Sequence, residues 1–402
     1  MNKPRIVYLA DAGSIHTRRW VSYFVAQGYE AHVFSFLPGE IPGAQVYYLR
    51  AGSVRTEGGN WRYLAHLPTL HRRVRALRPA LVHAHYLTSY GLLGALIDCH
   101  PLVMTAWGSD VLVTPQRSPL YRRLLRFTLR QADLVTSDAE TMSRALERYG
   151  VPPERVLTIP LGIDLNLFRR ERHDWTATGD RLISTRRLVP NTNLETVLRA
   201  LPHVVQTLPD IHLDVVGDGP EEPNLRVLAR RLNLDRVVTW HGQVAHDALP
   251  GLLGQTGIYL AVTHSDSTSV SMLEAMACGL FPIVADLPAN REWIESGVNG
   301  LLVPPDDEVA LAQAIVRAAQ DPQWRENAGR QNRQAIARRA NWHENMAQVA
   351  QAYQALIAQH SHADSQAQQA SIRSWSRGFS RSVRPEGSTP GDLSRSGEAR
   401  KR

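Results

Sequence analysis

The sequence predicts an α/β protein with two similar domains, each built on a doubly wound parallel sheet. Strand-like and helix-like segments alternate repeatedly, which is typical of parallel sheets covered by helices on both faces. The alternation breaks into a polar stretch around 165–178 and then begins again. The length of 402 residues also suits two domains better than a single core.

The first half contains the elements of one such domain. A buried strand at 5–11 precedes a helix over 17–27 that ends at Gly28, and a strand at 30–36 precedes a basic helix over 60–77. Further strands are predicted at 80–86, 101–107 and 132–138. Ligands of such sheets bind at the carboxyl ends of the strands, so polar residues within 11–16, 83–86 and 107–110 should share one rim.

The second half repeats the pattern and then changes in composition. Strands are predicted at 181–188, 211–220, 236–242, 257–264 and 281–287, followed by a final helix over 341–359. From 361 the chain has ten serines in 42 residues and few large apolar side chains, which indicates a disordered basic tail. The expected boundaries are therefore 1–168 and 176–340 for the domains, 341–359 for the helix and 361–402 for the tail.

Composition limits the class of protein. Hydrophobic residues make up 43% and charged residues 21%, and no apolar run reaches the ~20 residues that cross a bilayer. The N-terminus lacks the layout of a signal peptide, and two cysteines cannot form a disulfide framework. We expect a cytoplasmic protein. Its net charge of +7 is concentrated before 166 and after 365, which favours a polarised surface over nucleic-acid binding.

The most informative segment is SDSTSVSMLEAMACG, residues 265–279. Hydroxyls at 267–269 can cap a helix that Gly279 ends, with Asp266 just outside it and Glu274 inside. The two carboxylates are eight residues apart, or about 12 Å along a helix axis. A nucleoside diphosphate sugar has a comparable span, and the helix N-terminus between the carboxylates suits its phosphates. The plainer alternative is an amphipathic helix whose glutamate faces water.

Seven other segments, taken with this one in chain order, carry a family resemblance. They are RIVYLADAGSIHTRRW, AHYLTSYGLL, TAWGSD, IPLGIDLNLF, TRRLVP, VVGDGP and NREWIESGVNGLLVP. Over about residues 3–358 the chain resembles the retaining glycosyltransferases of family 4, which have the GT-B fold. The resemblance implies two Rossmann-like domains facing across a cleft, the first for the acceptor and the second for the nucleotide sugar. It also implies that the terminal helix crosses back to the first domain.

The resemblance assigns roles to residues of the second domain. Asp266 would hold the sugar ring, Glu274 the ribose hydroxyls and Arg187 the diphosphate, and these three form the expected catalytic set. The amides near Ser269, Val270 and Ser271 would hold the phosphates. Transfer in this family uses no dedicated covalent nucleophile and usually no metal, so we expect no cofactor and no metal site. Catalysis is then a matter of positioning and electrostatics.

The sequence departs from the family pattern at two positions. The family's phosphate-binding lysine is replaced by Thr192, a loss worth about 10- to 100-fold in leaving-group stabilisation unless another group compensates. Arg186 is the nearest candidate for that compensation. Trp107 stands where many members have a histidine, and it offers a stacking face instead of a proton acceptor. We interpret both changes as marks of a subgroup with different sugar contacts.

Six further positions complete the candidate site. Gly217 and Glu292 belong to segments that the resemblance places near the donor. Gly13, His16, His85 and Asp110 lie on the predicted first-domain rim and are candidates for acceptor or sugar binding, although a structural role for the histidines remains open. No cluster of His, Cys or Asp has the spacing of metal ligands.

The segment RSPLYRRLLRFTLRQ at 117–131 alternates arginines with leucines and aromatic residues. Such a basic amphipathic helix can lie on an anionic membrane surface, or its leucines can pack into the first domain while the arginines face water. We therefore expect a cytoplasmic protein that associates with the inner face of the cell membrane.

The predicted function is transfer of a hexose-type sugar from a UDP- or GDP-type donor to a glycan or lipid-linked acceptor, in cell-envelope or exopolysaccharide synthesis. Two alternatives remain at this point. A non-catalytic nucleotide-sugar-binding protein is favoured by Thr192 and Trp107. A sugar-nucleotide epimerase with a GT-B-like fold would convert the donor without any acceptor, although the segment with Asp266 and Glu274 argues against it.

Overall fold

The computed structural model describes residues 3–49, 61–169 and 179–382, and for residues 363–382 it describes the backbone only. Most of the polar stretch at 165–178 and the tail from 383 lie outside the described residues. Within the described part, two parallel sheets form two lobes, which confirms the predicted GT-B architecture.

The first lobe holds a seven-stranded sheet in the order β3-β2-β1-β4-β5-β6-β7. Its strands are β1 (Arg5–Leu9), β2 (Glu30–Ser35), β3 (Ala44–Tyr48), β4 (Leu81–His85), β5 (Leu102–Thr105), β6 (Leu134–Ser137) and β7 (Val156–Thr158). Its helices are α1 (Ile15–Ala26), α2 (Leu67–Leu77), α3 (Leu92–Ile97), α4 (Ser109–Leu112), α5 (Pro119–Arg130) and α6 (Glu140–Arg148). The helix predicted from 60 begins instead as a 3₁₀ segment, Trp61–His66, because Pro68 fits only the first turn of α2.

The second lobe holds a six-stranded sheet in the order β10-β9-β8-β11-β12-β13. Its strands are β8 (Arg181–Ser184), β9 (His212–Val216), β10 (Val238–Gly242), β11 (Ile258–Ala261), β12 (Phe281–Ala285) and β13 (Leu301–Val303). Its helices are α7 (Leu194–Thr207), α8 (Glu222–Arg231), α9 (Leu249–Gly254), α10 (Val270–Ala277), α11 (Glu308–Gln320) and α12 (Pro322–Arg339). Apolar clusters cover both faces of this sheet, as parallel strands require.

The last helix, α13 (Trp342–Ser382), is longer than the predicted helix at 341–359. The helix continues to 382 within the segment for which disorder is predicted, where Ala and Gln favour a helix and proline is absent until Pro385. Near its start, α13 packs on the first lobe. The Tyr353 ring stacks on Phe24 at 4.6 Å, and its hydroxyl lies 2.6 Å from His83 Nδ1.

The strand order places the ends of β1, β5 and β6 in the first lobe, and of β8 and β11 in the second, around one cleft. No helix in the described part of the chain is both long and apolar enough to span a membrane.

Candidate active site

A cavity of about 460 Å³ lies between the two lobes. The first lobe contributes Ile15, His16, Arg19, Trp107, Asp138 and Leu161. The second lobe contributes Thr185, Arg186, Arg187, Val189, Asn191, Thr192, His246, Asp266, Ser267, Thr268, Ser269, Val270, Ser271 and Glu274. Ten of the fifteen predicted site residues therefore line one cavity.

The N-terminus of α10 forms one wall of this cavity. Ser269 caps the helix, since its hydroxyl accepts a hydrogen bond from the Met272 amide at 3.3 Å, and Val270 is the first helical residue. The opening amides of a helix carry partial positive charge and suit an anion such as phosphate. The predicted N-cap and the predicted buried face of this helix are both present in the structure.

Arg186 is fixed beside this helix end. Its guanidinium donates to Asp266 Oδ2 at 2.7 Å and to the hydroxyls of Ser269 at 2.6 Å and Ser271 at 3.3 Å. Burial is the largest single influence on the pKa of Arg186 and lowers it, but Asp266 and Tyr259 together outweigh burial, so the pKa is raised. The cavity wall thus includes a permanent cation whose charge Asp266 balances.

Arg187 is exposed at the mouth of the cavity, and no hydrogen bond or ion pair engages its guanidinium within the described residues. Thr192 is buried, and its hydroxyl lies 2.7 Å from the Arg187 carbonyl oxygen and 2.8 Å from that of Val189. The Thr192 hydroxyl thus holds the arginine-bearing loop together. In this loop, Arg186 and Arg187 are the two cations that can contact a phosphate in the cavity.

Glu274 lies at the other end of the cavity with 5% of its surface exposed. Its Oε1 is 2.8 Å from Nε2 of His246, a residue that the sequence analysis did not select. The His246 ring rests 5.1 Å from the Phe168 ring. A carboxylate held in this way keeps a fixed orientation and can accept hydrogen bonds from a pair of hydroxyls.

Arg19 is a second cavity residue that the sequence analysis missed. It donates to the Gly162 carbonyl at 3.1 Å and lies 4.2 Å from the centre of the Trp342 ring. Burial lowers its pKa, while Glu274 and Asp164 act in the opposite direction. Arg19 lies on α1, one turn after His16. In the sequence it is one of two adjacent arginines in a predicted helix, and nothing else distinguishes it as a cavity residue.

The first-lobe wall is aromatic. His16 and Trp107 stack with ring centres 5.2 Å apart and an interplanar angle of 26°. Burial, with a smaller effect from Arg19, lowers the pKa of His16 to about 4. His16 is therefore neutral near pH 7, and this wall offers flat surfaces that can pack against a sugar ring.

His85 and Asp110 lie behind this wall and do not line the cavity. His85 is 3% exposed and its ring centre is 5.6 Å from that of Trp107. Asp110 is fully buried and accepts hydrogen bonds from the amides of Leu87 at 2.8 Å and Trp107 at 3.0 Å. Asp110 therefore supports the Trp107 loop, and the structure places both side chains under the cavity wall and not on its surface.

The two candidate glycines shape the backbone and do not line the cavity. Gly217 has a φ of +128°, and a Cβ there would come within 2.5 Å of the Arg186 carbonyl oxygen. Glycine at this position thus lets the arginine-bearing loop pass close to β9. The Gly13 amide donates to Asp11 Oδ1 at 2.8 Å in a local turn.

Glu292 lies outside the cavity and connects the lobes. Its carboxylate accepts hydrogen bonds from the amides of Glu140 at 2.9 Å and Thr141 at 2.7 Å, at the N-terminus of α6. The Thr141 hydroxyl donates to the same carboxylate at 2.6 Å. The structure thus places this carboxylate as a cap on a first-lobe helix and not in the cavity where a donor contact is predicted.

Asp138 is the third cavity residue that the sequence analysis overlooked. It follows β6 directly and faces the loop of Asp266 across the cleft. Burial, together with the nearby charges of Asp266 and Asp110, raises its pKa to about 7. Asp138 is the last residue of a strand predicted from the sequence, and its position at the carboxyl end of that strand could have marked it as a candidate.

Known proteins match both lobes. A family model described as glycosyl transferases group 1 matches residues 168–335, and one described as glycosyl transferase 4-like matches residues 5–139. Together they cover most of the chain. WcaL of Escherichia coli, assigned to colanic acid biosynthesis as a glycosyltransferase, is 28% identical over 214 residues, 52% of this chain and 50% of WcaL.

Two further relatives extend the comparison. The N-acetyl-alpha-D-glucosaminyl L-malate synthase of Bacillus anthracis is 25% identical over 268 residues, 64% of this chain and 69% of the synthase. Among solved structures, Anabaena Alr3699/HepE in complex with UDP and glucose superposes with a TM-score of 0.72 at 21% identity, covering 87% of this chain and 99% of that one. The match to WcaL spans about half of that relative's length.

The two parallel-sheet lobes and the cleft between them define a protein of GT-B fold. With both family models matched in order along the chain, the protein is similar to the group 1 glycosyltransferases and has the GT-B fold.

Proposed function

We propose that this protein is a retaining glycosyltransferase that moves a hexose-type sugar from a UDP- or GDP-type donor to a glycan or lipid-linked acceptor. One observation carries the proposal: the N-terminus of α10 opens into a cavity that has arginines and Asp266 at one end and the fixed Glu274 at the other. This arrangement matches the order of sugar, diphosphate and ribose in a donor. The related fold of Alr3699/HepE, crystallised with UDP and glucose, supports it.

The donor diphosphate would lie at the opening amides of α10, between Arg186 and Arg187. Arg186 already contacts the helix cap, and Arg187 is unengaged within the described residues, so each can donate to phosphate oxygens. Glu274 would accept hydrogen bonds from the ribose hydroxyls. The sugar ring would then lie beside Asp266 and the stacked rings of His16 and Trp107.

The chemistry follows from this placement. The bond between the anomeric carbon and the diphosphate oxygen breaks, and the acceptor oxygen forms its bond on the same face. The acceptor proton passes to the departing diphosphate, whose charge the two arginines and the helix amides stabilise. Because these fixed charges already face the leaving group, we propose that transfer needs no metal ion.

The acceptor would approach from the first lobe, in the cytoplasm at the inner face of the cell membrane. The assignment of WcaL to colanic acid biosynthesis supports a role in cell-envelope or exopolysaccharide synthesis. Helix α5 supports a membrane-surface position, since Leu120 and Phe127 are 57% and 39% exposed among exposed arginines.

The engaged hydroxyl of Thr192 favours a second candidate, a protein that binds nucleotide sugar without turnover. Without a lysine at this position, stabilisation of the leaving diphosphate depends on Arg186 and Arg187. If they are insufficient, the donor binds and is not cleaved.

The deciding experiment measures diphosphate release from a panel of UDP and GDP sugars, with and without lipid-extract acceptors. The wild type, Glu274→Gln and the exposed control Glu147→Gln are compared, each with and without EDTA. We expect acceptor-dependent release that persists in EDTA, falls about 10- to 100-fold in Glu274→Gln and is unchanged in Glu147→Gln. The anomeric configuration of the product, measured by NMR, tests retention.

Binding of donor without release, despite a broad acceptor set, would support the second candidate. Conversion of the donor in the absence of any acceptor would instead identify an epimerase. Loss of activity in EDTA that Mg²⁺ restores would contradict metal independence.

A further inference from the structure

Five hydrogen bonds between the lobes converge on residues 138–141, which we call the β6–α6 junction. Three of them reach Glu292, from the Glu140 amide and from the amide and hydroxyl of Thr141. The other two reach Asp138 from the opposite side. Ser267 Oγ donates to the Asp138 carboxyl, and Thr268 Oγ1 donates to the Asp138 carbonyl at 2.7 Å.

The two contacts of Asp138 involve Ser267 and Thr268, which belong to the cavity loop that leads into α10. Ser267 and Thr268 lie between Asp266, which pairs with Arg186, and Ser269, which caps α10. All four residues of this loop, 266–269, line the cavity. A shift of the loop would move the partner of Arg186 and the helix cap together, so whatever anchors the loop sets the geometry of the donor end.

The surroundings of Asp138 are acidic. The charged groups that act on it are Asp266 across the cleft and Asp110 in its own lobe, and the nearby cation Arg186 is already engaged by Asp266. Burial is the largest cause of its raised pKa, followed by Asp266 and then Asp110, while the Ser267 hydroxyl lowers it. Burial and the neighbouring carboxylates therefore favour the neutral carboxyl at this position, although the Ser267 hydroxyl by itself favours the carboxylate.

We propose that Asp138 is a positioning residue, which anchors the loop 266–269 to the first lobe and so fixes Asp266 and the α10 N-terminus for the donor. The kinetic part of this proposal rests on the proposed glycosyltransferase function, and the anchoring itself does not. Asp138 acts through Ser267 and Thr268 and need not touch the donor.

Protonation decides the strength of the anchor. The pKa of Asp138 is about 7 in the closed cleft, and a freely solvated aspartate has a pKa of about 4. The Asp138 carboxyl therefore holds its proton more tightly when the contact is formed than when it is open. The stability that protonation gives to the contact is lost as the pH rises from about 4 to about 7. An asparagine side chain would keep the neutral hydrogen bond at every pH, so Asp138→Asn should remove this pH dependence.

The test measures hydrogen–deuterium exchange in the peptide around 266–269 of the full chain without ligand, at about pH 6 and about pH 8.5. The variants are Asp138→Ala, Asp138→Asn, Glu292→Ala and the exposed control Glu147→Gln. After correction for intrinsic exchange rates, we expect wild-type protection of the loop to weaken as pH rises. Asp138→Asn should stay protected at both pH values, and Asp138→Ala should exchange about tenfold faster than Asp138→Asn at both.

A parallel measurement follows the turnover of the donor identified above. We expect kcat/KM to fall about tenfold in Asp138→Ala and to be restored in Asp138→Asn, whose decline as pH rises towards about 7 should be flatter than that of the wild type. Equal loosening of the loop in Glu292→Ala and Asp138→Ala would overturn the proposal, because it would show general separation of the lobes. Unchanged loop protection in Asp138→Ala would also overturn it.

The two proposals fail separately. A wild type that binds and turns over no donor contradicts the glycosyltransferase function, while the exchange experiment still decides whether Asp138 anchors the loop. Thermal unfolding of each variant, with a midpoint near that of the wild type, confirms that the altered chains fold.

Discussion

At the scale of single residues, neighbouring arginines have different environments. Arg186 turns inward to Asp266 and the cap of α10, while Arg187 is exposed at the cavity mouth. Arg186 therefore has a structural role beside its proposed donor contact, whereas Arg187 has the proposed donor contact alone. Because the family's lysine is replaced by Thr192, the whole cationic contribution of this loop rests on the two arginines.

This difference predicts different outcomes for two matched substitutions. Arg187→Gln should lower kcat/KM by about 10- to 100-fold without changing stability, because no structural partner is lost. Arg186→Gln should lower kcat/KM and also cost about 1–3 kcal/mol of stability, because Asp266 loses its partner in a half-buried site. Donor kinetics and urea unfolding measure the two effects, with the exposed Arg230→Gln as control. Equal stability of both variants would contradict the assignment.

Residue-scale predictions from the sequence succeeded where a local pattern carried them. Asp266, Ser269 and Glu274 belong to one helix and its cap, so their relative positions follow from chain geometry. Asp138 and His246 reach the cavity through packing between distant segments, and no spacing in the sequence reports that. Glu292 was assigned to the donor from its motif, and a motif contains no information about the first-lobe helix that Glu292 caps.

At the scale of elements, the buried strands were predictable and the edge strands were not. Strand β3 alternates partly exposed and exposed residues, and β7 has only three, so neither produces the apolar run of a central strand. Helix α10 was predicted well because its N-cap, apolar face and terminal glycine all agree. The extra length of α13 was missed because composition was interpreted as disorder.

Helix α5 carries an element-scale prediction. Leu125 and Leu129 are buried, which leaves Leu120, Phe127 and the arginines exposed. We expect the protein to sediment with anionic vesicles and not with neutral ones. Each of Arg122→Gln and Arg123→Gln should weaken binding about fivefold, at about 1 kcal/mol per arginine. Arg230→Gln on the second lobe is the matched control. Binding that ignores lipid charge would refute a role for this helix.

At the scale of the whole molecule, the two-lobed fold was evident from the sequence, but the contacts between the lobes were not. The alternation of strands and helices fixes the class of each lobe, since parallel sheets need helical crossovers. The cleft depends on a few side chains that meet across it, such as Asp138 with Ser267 and Thr141 with Glu292. The two residues of each pair are more than a hundred positions apart, so the periodicity of the sequence gives no information about them.

The return of α13 to the first lobe predicts a global stability effect. The Tyr353 hydroxyl lies 3.1 Å from Trp20 Nε1 and 2.6 Å from His83 Nδ1, all in a buried setting. Tyr353→Phe leaves both nitrogens without this partner and should cost about 1–3 kcal/mol in urea unfolding, while donor binding persists. The exposed Tyr48→Phe is the control. A loss no larger than that of the control would show that the hydroxyl contributes nothing to stability.

The position of Tyr353 also bears on how the protein is made. The strands of the first lobe are complete by Thr158, yet Tyr353 completes the core beside β4 and α1. At about 5–20 residues per second, a ribosome needs roughly 10–40 s to make the intervening chain. During that interval the first lobe exists as a nascent domain with an open apolar face around Phe24. We therefore expect this face to be accessible to chaperones and proteases while the ribosome makes the second lobe.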